Sequence, residues 1–266
     1  FTPGPVTLDG GAGDDTLQGS AGDDQLVGGS GTDVVHLAID ADMVLTDSVL
    51  TGHGIDGLSG VERAVLSGGD SDNLIDASGF SGDTTLSGGP GDDVIQGGSG
   101  TDELQQTVDV DQVLSDTQLT GDGVDTLSGI DRAVLRGGDS DNTLDASGFT
   151  AGPVTLDGAG GDDTLTGGSD DDRLIGGEGT DEVAQAADVD QLLTDTSLSG
   201  RGSDSLEGIE AARLTGGGSD NRLDATAFTA GSVTLAGQAG NDTLRGSAGD
   251  DSLDGGSGSD LVEQTV

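Results

Sequence analysis

The pattern G-G-x-G-x-D-x-U-x, with U a large aliphatic, recurs eleven times in this sequence and keeps strict nine-residue phase within each run. It occupies Gly10–Gln18, Gly19–Val27 and Gly28–His36. It returns at Gly88–Gln96 and Gly97–Gln105, from Gly158 to Ala184, and from Gly237 to Glu263. The sixth position holds Asp15, Asp24, Asp33, Asp93, Asp102, Asp163, Asp172, Asp181, Asp242, Asp251 and Asp260. Two residues later come Leu17, Leu26, Val35, Ile95, Leu104, Leu165, Leu174, Val183, Leu244, Leu253 and Val262. A phased repeat this short restricts a chain to a stack of like units, each burying its apolar face on the next.

Each block is half turn and half strand. Glycine adopts positive φ without a Cβ clash, so the Gly-rich half reverses tightly. The x-U-x half is too short for a helix and sends one aliphatic inward between polar neighbours. Two blocks make eighteen residues, enough for one coil with a strand on each side. Stacked coils bury the U positions in a thin core. The fold class expected is therefore all-β, a β-solenoid, and no stretch keeps a 3.6-residue apolar period.

A longer repeat contains the short one. Phe1, Phe80, Phe149 and Phe228 open four copies of a larger unit: 1–79, 80–148, 149–227 and a partial 228–266. The second copy is shorter by one nonapeptide and one further residue. Each nonapeptide run is followed by a spacer of about forty residues with short aliphatic steps at equivalent places, such as Leu50, Leu119 and Leu198. The spacers read as further coils of irregular length, so that all four units form one continuous solenoid. The Phe of each unit is expected to fill the core, and Val61–Leu66 to accommodate a single helical turn. The sequence starts at Phe1 rather than Met and stops in mid-pattern, which reads as a window cut from a longer protein.

Charge decides what such a stack needs. With 51 acidic against 8 basic residues, the formal net charge is −43, and 52 of 266 residues are Gly. That composition borders on disorder. Two unit charges ~4 Å apart at an effective dielectric near 20 repel by about 4 kcal/mol. Many such pairs would open a thin core, so folding calls for cations, and hard divalent cations prefer oxygen ligands. The same balance excludes a nucleic-acid surface and repels an anionic membrane. There is no Cys, hence no disulfide, Cys-based zinc site or thiol nucleophile. No apolar run approaches the ~20 residues of a membrane-spanning helix.

The eleven blocks resemble the nonapeptides of the RTX (haemolysin-type calcium-binding) repeat family. The resemblance implies a right-handed parallel β-roll with Ca²⁺ held between successive turns. The ligands it implies are the block carboxylates together with turn carbonyls at Gly11, Gly13, Gly29, Gly31, Gly89, Gly91, Gly98, Gly100, Gly161, Gly177, Gly179, Gly240, Gly249, Gly256 and Gly258. It places one ion between Asp15 and Asp33, with Asp24 on the opposite edge, and repeats that arrangement at Asp163 with Asp181 and at Asp242 with Asp260. Ser20, Ser247, Ala159, Gln238 and Asp170 depart from the glycine pattern. In the second unit Asp93 and Asp102 are nine apart and fall on opposite edges. Its turns are expected to borrow ligands near Asp76 or Asp83, and to be the least occupied. Spacer residues Asp40, Asp42 and Asp47 read as turn caps, and Asn73, Asn142 and Asn221 as side-chain caps or ladder residues.

No catalytic constellation is legible. The two histidines, His36 and His53, occupy slots filled by Gln, Ala, Asp or Arg in sister units. The expected role is a non-enzymatic, calcium-binding structural module. It would form a rigid extracellular rod in a bacterial secreted or cell-surface protein, meeting calcium ions and further copies of the repeat or other surface components. Two alternatives are a solenoid face that binds polysaccharide or ice, and the calcium-dependent accessory region of a secreted enzyme. Four Phe with no Trp or Tyr disfavour a carbohydrate platform, and one Thr per unit (Thr7, Thr85, Thr155, Thr234) is sparse for ice.

Overall fold

The computed structural model describes residues 4–264; Phe1 and Val266 lie outside them. Short strands alternate with turns, and no helix occurs among the described residues. Within a nonapeptide run, strands pair in parallel with the strand eighteen residues on; strands that precede a spacer pair with a spacer strand further along, as Leu26 does with Leu58. Leu8 registers with Leu26 and Leu17 with Val35. Leu156 registers with Leu174, Leu165 with Val183, and Leu244 with Val262. One coil is therefore two blocks, and like side chains stack on like.

Two compact bodies result: Phe1–Gln106 with Asp116–Val134, and Thr107–Ser115 with Leu135–Val266. Their boundary runs through the second sequence unit rather than between units. In the first body, successive nonapeptide strands alternate between two sheets. One contains Thr7–Ala12, Gln25–Ser30, Leu74–Gly79 and Val94–Gln96; the other contains Thr16–Leu17, Val34–Ala38, Arg63–Ser67, Asp83–Ser87 and Asp102–Thr107. The second body repeats the scheme. Thr164–Thr166 and Glu182–Ala186 lie in one sheet, and Val154–Gly160 and Arg173–Glu178 in the other.

The spacers correct one expectation. Each contains an antiparallel insertion as well as coil. Met43–Thr46 pairs antiparallel with Val49–Thr51, which pairs antiparallel with Ile55–Ser59. Gln191–Thr194, Ser197–Gly200 and Gly202–Glu207 do the same in the second body. A tight turn allows it: Thr46 Oγ1 accepts the Val49 N–H at 3.1 Å, closing the reversal around Asp47 and Ser48. The helical turn expected at Val61–Leu66 is also absent. Residues Arg63–Ser67 instead form a strand between Val34–Ala38 and Asp83–Ser87, whose free edges offer parallel partners on both sides.

The core is one aliphatic layer. Nine of the eleven U residues are buried; Leu253 is half-buried and Val262 exposed, in the last described coil. Phe80, Phe149 and Phe228 are buried, each donating its N–H to the carbonyl of Ala77, Ala146 or Ala225. They fill the core at the point where spacer gives way to nonapeptides. Leu174 is fully buried, registered with Leu156 on one side and Leu206 on the other. Leu174→Asp places an unpaired charge between these coils. It should lower the thermal midpoint in saturating calcium by roughly 10 °C or more; a melt matching the parent would contradict the inward assignment.

Candidate metal centre

The turn aspartates are stacked into hydrogen-bonded ladders. Within a ladder a carboxylate accepts the N–H of the residue beneath it, and its own N–H donates to the acid above. In the first body Asp15 N–H donates to Asp33 Oδ1 at 2.8 Å, and Asp33 N–H to Glu62 Oε2 at 2.9 Å. On the opposite row Val6 N–H donates to Asp24 Oδ1 at 2.8 Å, and Asp24 N–H to Asp56 Oδ1 at 2.9 Å. In the second body Asn142, Asp163, Asp181 and Glu210 form one such series, over 2.7, 2.8 and 3.1 Å. Val154, Asp172 and Asp204 form another, over 2.8 and 3.1 Å. Asn221, Asp242 and Asp260 form a third, over 2.7 and 2.9 Å, while Val233 N–H donates to Asp251 Oδ1 at 2.9 Å.

The second unit draws its carboxylate partners from the following spacer. Asn73 N–H donates to Asp93 Oδ1 at 2.7 Å and Asp93 N–H to Asp125 Oδ1 at 3.0 Å. Asp102 N–H donates to Asp131 Oδ2 at 2.8 Å. Of the residues expected there, Asp83 caps Thr101 N–H at 2.9 Å, whereas Asp76 turns back on Ser78. Asp40, Asp42 and Asp47 cap Ser71, Leu74 and Ser81 N–H groups.

Sequence reasoning therefore missed six ladder acids: Asp56, Asp125 and Asp204, and Glu62, Asp131 and Glu210. The signal was present. Gly52-His53-Gly54-Ile55-Asp56-Gly57-Leu58 is the block pattern without its first glycine, and Gly121–Leu127 repeats it.

Twelve of the fifteen glycines named as carbonyl ligands have positive φ; Gly98, Gly100 and Gly249 do not. At Gly29, φ +111°, a methyl group would collide with the Gly11 carbonyl oxygen of the coil below. Glycine is thus required both by conformation and by the closeness of the stack.

The donor set suits a hard cation. Oδ2 of Asp15, Asp33, Asp93, Asp163, Asp181 and Asp242 is buried with no hydrogen-bond partner. A buried acceptor left unsatisfied costs about 1–3 kcal/mol, more when charged. Carbonyls converge on the same place: a methyl at Gly10 would sit 2.7 Å from both Asp15 Oδ2 and Gly28 O. Asp163 Oδ2 and Gly176 O converge likewise beside Gly158, and Asp242 Oδ2 and Gly255 O beside Gly237. Among the described residues no three His, Cys, Asp or Glu cluster around one point, so backbone oxygens would supply the rest of a shell. Burial pushes the Asp163 carboxyl up to about 6, against the backbone hydrogen bond from Asn142 that lowers it. Burial likewise pushes Asp125 and Asp204 up to about 7, with the neighbouring Asp93 and Asp172 charges adding to the rise.

Parallel coils of two nonapeptides, closed by glycine turns that stack buried carboxylates, define an acidic β-solenoid. Residues 7–44, 78–105, 155–183 and 234–262 each match the family model of the RTX calcium-binding nonapeptide repeat. The chain thus carries four copies of the RTX calcium-binding nonapeptide repeat. Comparison with curated proteins finds no match.

Asp204 allows a pH test. Its folded value, about 7, lies above the ordinary 3.8, so its contribution to stability is complete below pH 3.8 and is lost as pH rises through about 7. Asp204→Asn keeps an oxygen for the Asp172 N–H but cannot ionise. In saturating calcium it should melt above the parent near pH 7.5, the gain vanishing toward pH 4. An equal gain at both pH values would mean that ionisation of Asp204 is not the cause.

Proposed function

We propose that this chain is a calcium-folded, non-catalytic structural module, forming a rigid rod within an extracellular or surface protein of a bacterium: a stalk, surface layer or matrix fibre. The observation that carries the reading is the set of six carboxylate oxygens, buried in stacked turns without a donor. A divalent cation in each turn pair would satisfy those oxygens and cancel charge in a chain of net −43. An N–H donated to Oδ1 holds five of these six carboxylates, Asp33, Asp93, Asp163, Asp181 and Asp242, as acceptors within the stacked turns. Modules with weak sites, of about 10⁻⁴–10⁻³ M affinity, suit extracellular calcium. A highly acidic chain that stays unfolded in the cell is also easily exported before calcium folds it.

Circular dichroism tests the reading. In chelator the chain should be largely unordered, and millimolar calcium should produce a β-rich spectrum. Each site binding only the folded state contributes about 2.7 kcal/mol at a hundredfold excess over Kd. Equal β content with and without chelator would refute the proposal.

A further inference from the structure

The eleven nonapeptide turns fall into two structural kinds, distinguished by position in the unit. In first blocks the second and fourth residues both have positive φ: Gly11 and Gly13 (+90°, +116°), Gly89 and Gly91 (+94°, +127°), and likewise in later units. Third blocks share this, as at Gly177 and Gly179 (+115°, +139°). Ala159 and Gln238, second residues of first blocks, are held at +74° and +76° although they carry a Cβ. A left-handed residue other than Gly is uncommon and costs of order 1–3 kcal/mol, so the conformation itself is being kept.

In second blocks none of these positions has positive φ. In three of the four the second residue turns its N–H onto the aspartate four residues ahead: Ser20 onto Asp24 Oδ2, Gly98 onto Asp102 Oδ2 at 2.8 Å, and Gly168 onto Asp172 Oδ2 at 2.6 Å; in the fourth, side chains engage Asp251 instead, the Ser247 hydroxyl at Oδ1 and Gln264 Nε2 at Oδ2, both at 2.8 Å. The other oxygens of Asp24, Asp102 and Asp172 are also engaged, by Val6 N–H, by the Thr84 hydroxyl and by Val154 N–H. The orphaned carboxylate oxygens belong to first and third blocks alone. In five of those six aspartates, Asp33, Asp93, Asp163, Asp181 and Asp242, the residue is at most 1 % exposed.

Spacer asparagines supply an internal control. Asn73, Asn142 and Asn221 accept the N–H of Gly69, Gly138 and Gly217, four residues back, at 2.8–3.0 Å through Oδ1. A neutral side chain can therefore make the second-block hydrogen bond. Three of the five departures from the glycine pattern, Ser20, Ser247 and Asp170, lie in second blocks, where no left-handed residue is needed; the other two, Ala159 and Gln238, lie in first blocks and keep positive φ.

We infer that calcium is confined to the first and third turns of each unit, and that the second-block aspartates Asp24, Asp102 and Asp172 are cation-free pins in which a backbone N–H takes the place of the ion. The inference rests on the proposed calcium function and assigns its sites. The second unit, which lacks a third block, then carries one ion-competent aspartate, Asp93.

The test compares Asp172→Asn with Asp163→Asn in the full chain, counting bound calcium by native mass spectrometry and titrating folding with calcium chloride. Asp172→Asn should keep the parent ion count with a calcium midpoint within about twofold. Asp163→Asn should lose at least one ion and raise the midpoint about tenfold. Loss of as many ions from Asp172→Asn as from Asp163→Asn would overturn the assignment while leaving calcium binding standing. A parent chain that takes up no calcium would overturn both. Should Asp163→Asn not fold, anomalous scattering from calcium-soaked parent crystals decides: density against Asp163 and Asp181 but none against Asp172 supports the assignment, and density against Asp172 defeats it.

Discussion

A carboxylate buried in a turn has two oxygens to satisfy, and the stacking of coils satisfies one. The N–H of the residue beneath, a coil earlier in the chain, donates to Oδ1, as Asp163 does to Asp181 and Asp242 does to Asp260. This bond sets the vertical register of the turns just as the aliphatic ladder sets that of the strands. The second oxygen decides the chemistry. Where a backbone N–H reaches it, the turn is complete in itself; where none does, burial leaves a charged acceptor that only a proton or a cation can satisfy. The thin core, one or two buried aliphatics per strand, is ill placed to override repulsion between so many acids.

The nine-residue phase made coil length, strand position and the inward set of U residues legible, because a parallel stack repeats whatever its period repeats. Leu17 over Val35 and Leu156 over Leu174 follow directly from eighteen residues per coil. The antiparallel insertion at Met43–Ser59 did not show. Its strands are three to five residues long, and its reversal rests on a threonine side chain rather than on an Asn-Gly or Asp-Gly pair. Arg63–Ser67 was ambiguous because a short apolar run has no period to read; two waiting sheet edges made it a strand.

The site was legible at its aspartates and illegible in its contrasts. Spacer acids such as Asp56 and Asp125 complete ladders from within degenerate blocks whose missing glycine hides the motif. Nor does G-G-x-G-x-D reveal whether its second residue is left-handed. Gly98 and Gly89 read alike in sequence, yet only Gly89 has positive φ, and only Gly98 donates to its aspartate. Backbone conformation, set by position in the unit, separates two turns that residue identity leaves the same.

Specific ligation and general screening make different demands on salt. At about 1 M ionic strength the Debye length is about 3 Å, so exposed carboxylates cease to repel, but buried oxygens gain no partner. The most direct measurement is therefore the β content of the chain in chelator with sodium chloride raised to about 1 M, against millimolar calcium at low salt. If buried oxygens must be ligated, calcium alone folds the chain and sodium chloride leaves it unordered. A full β spectrum in sodium chloride and chelator would contradict the account.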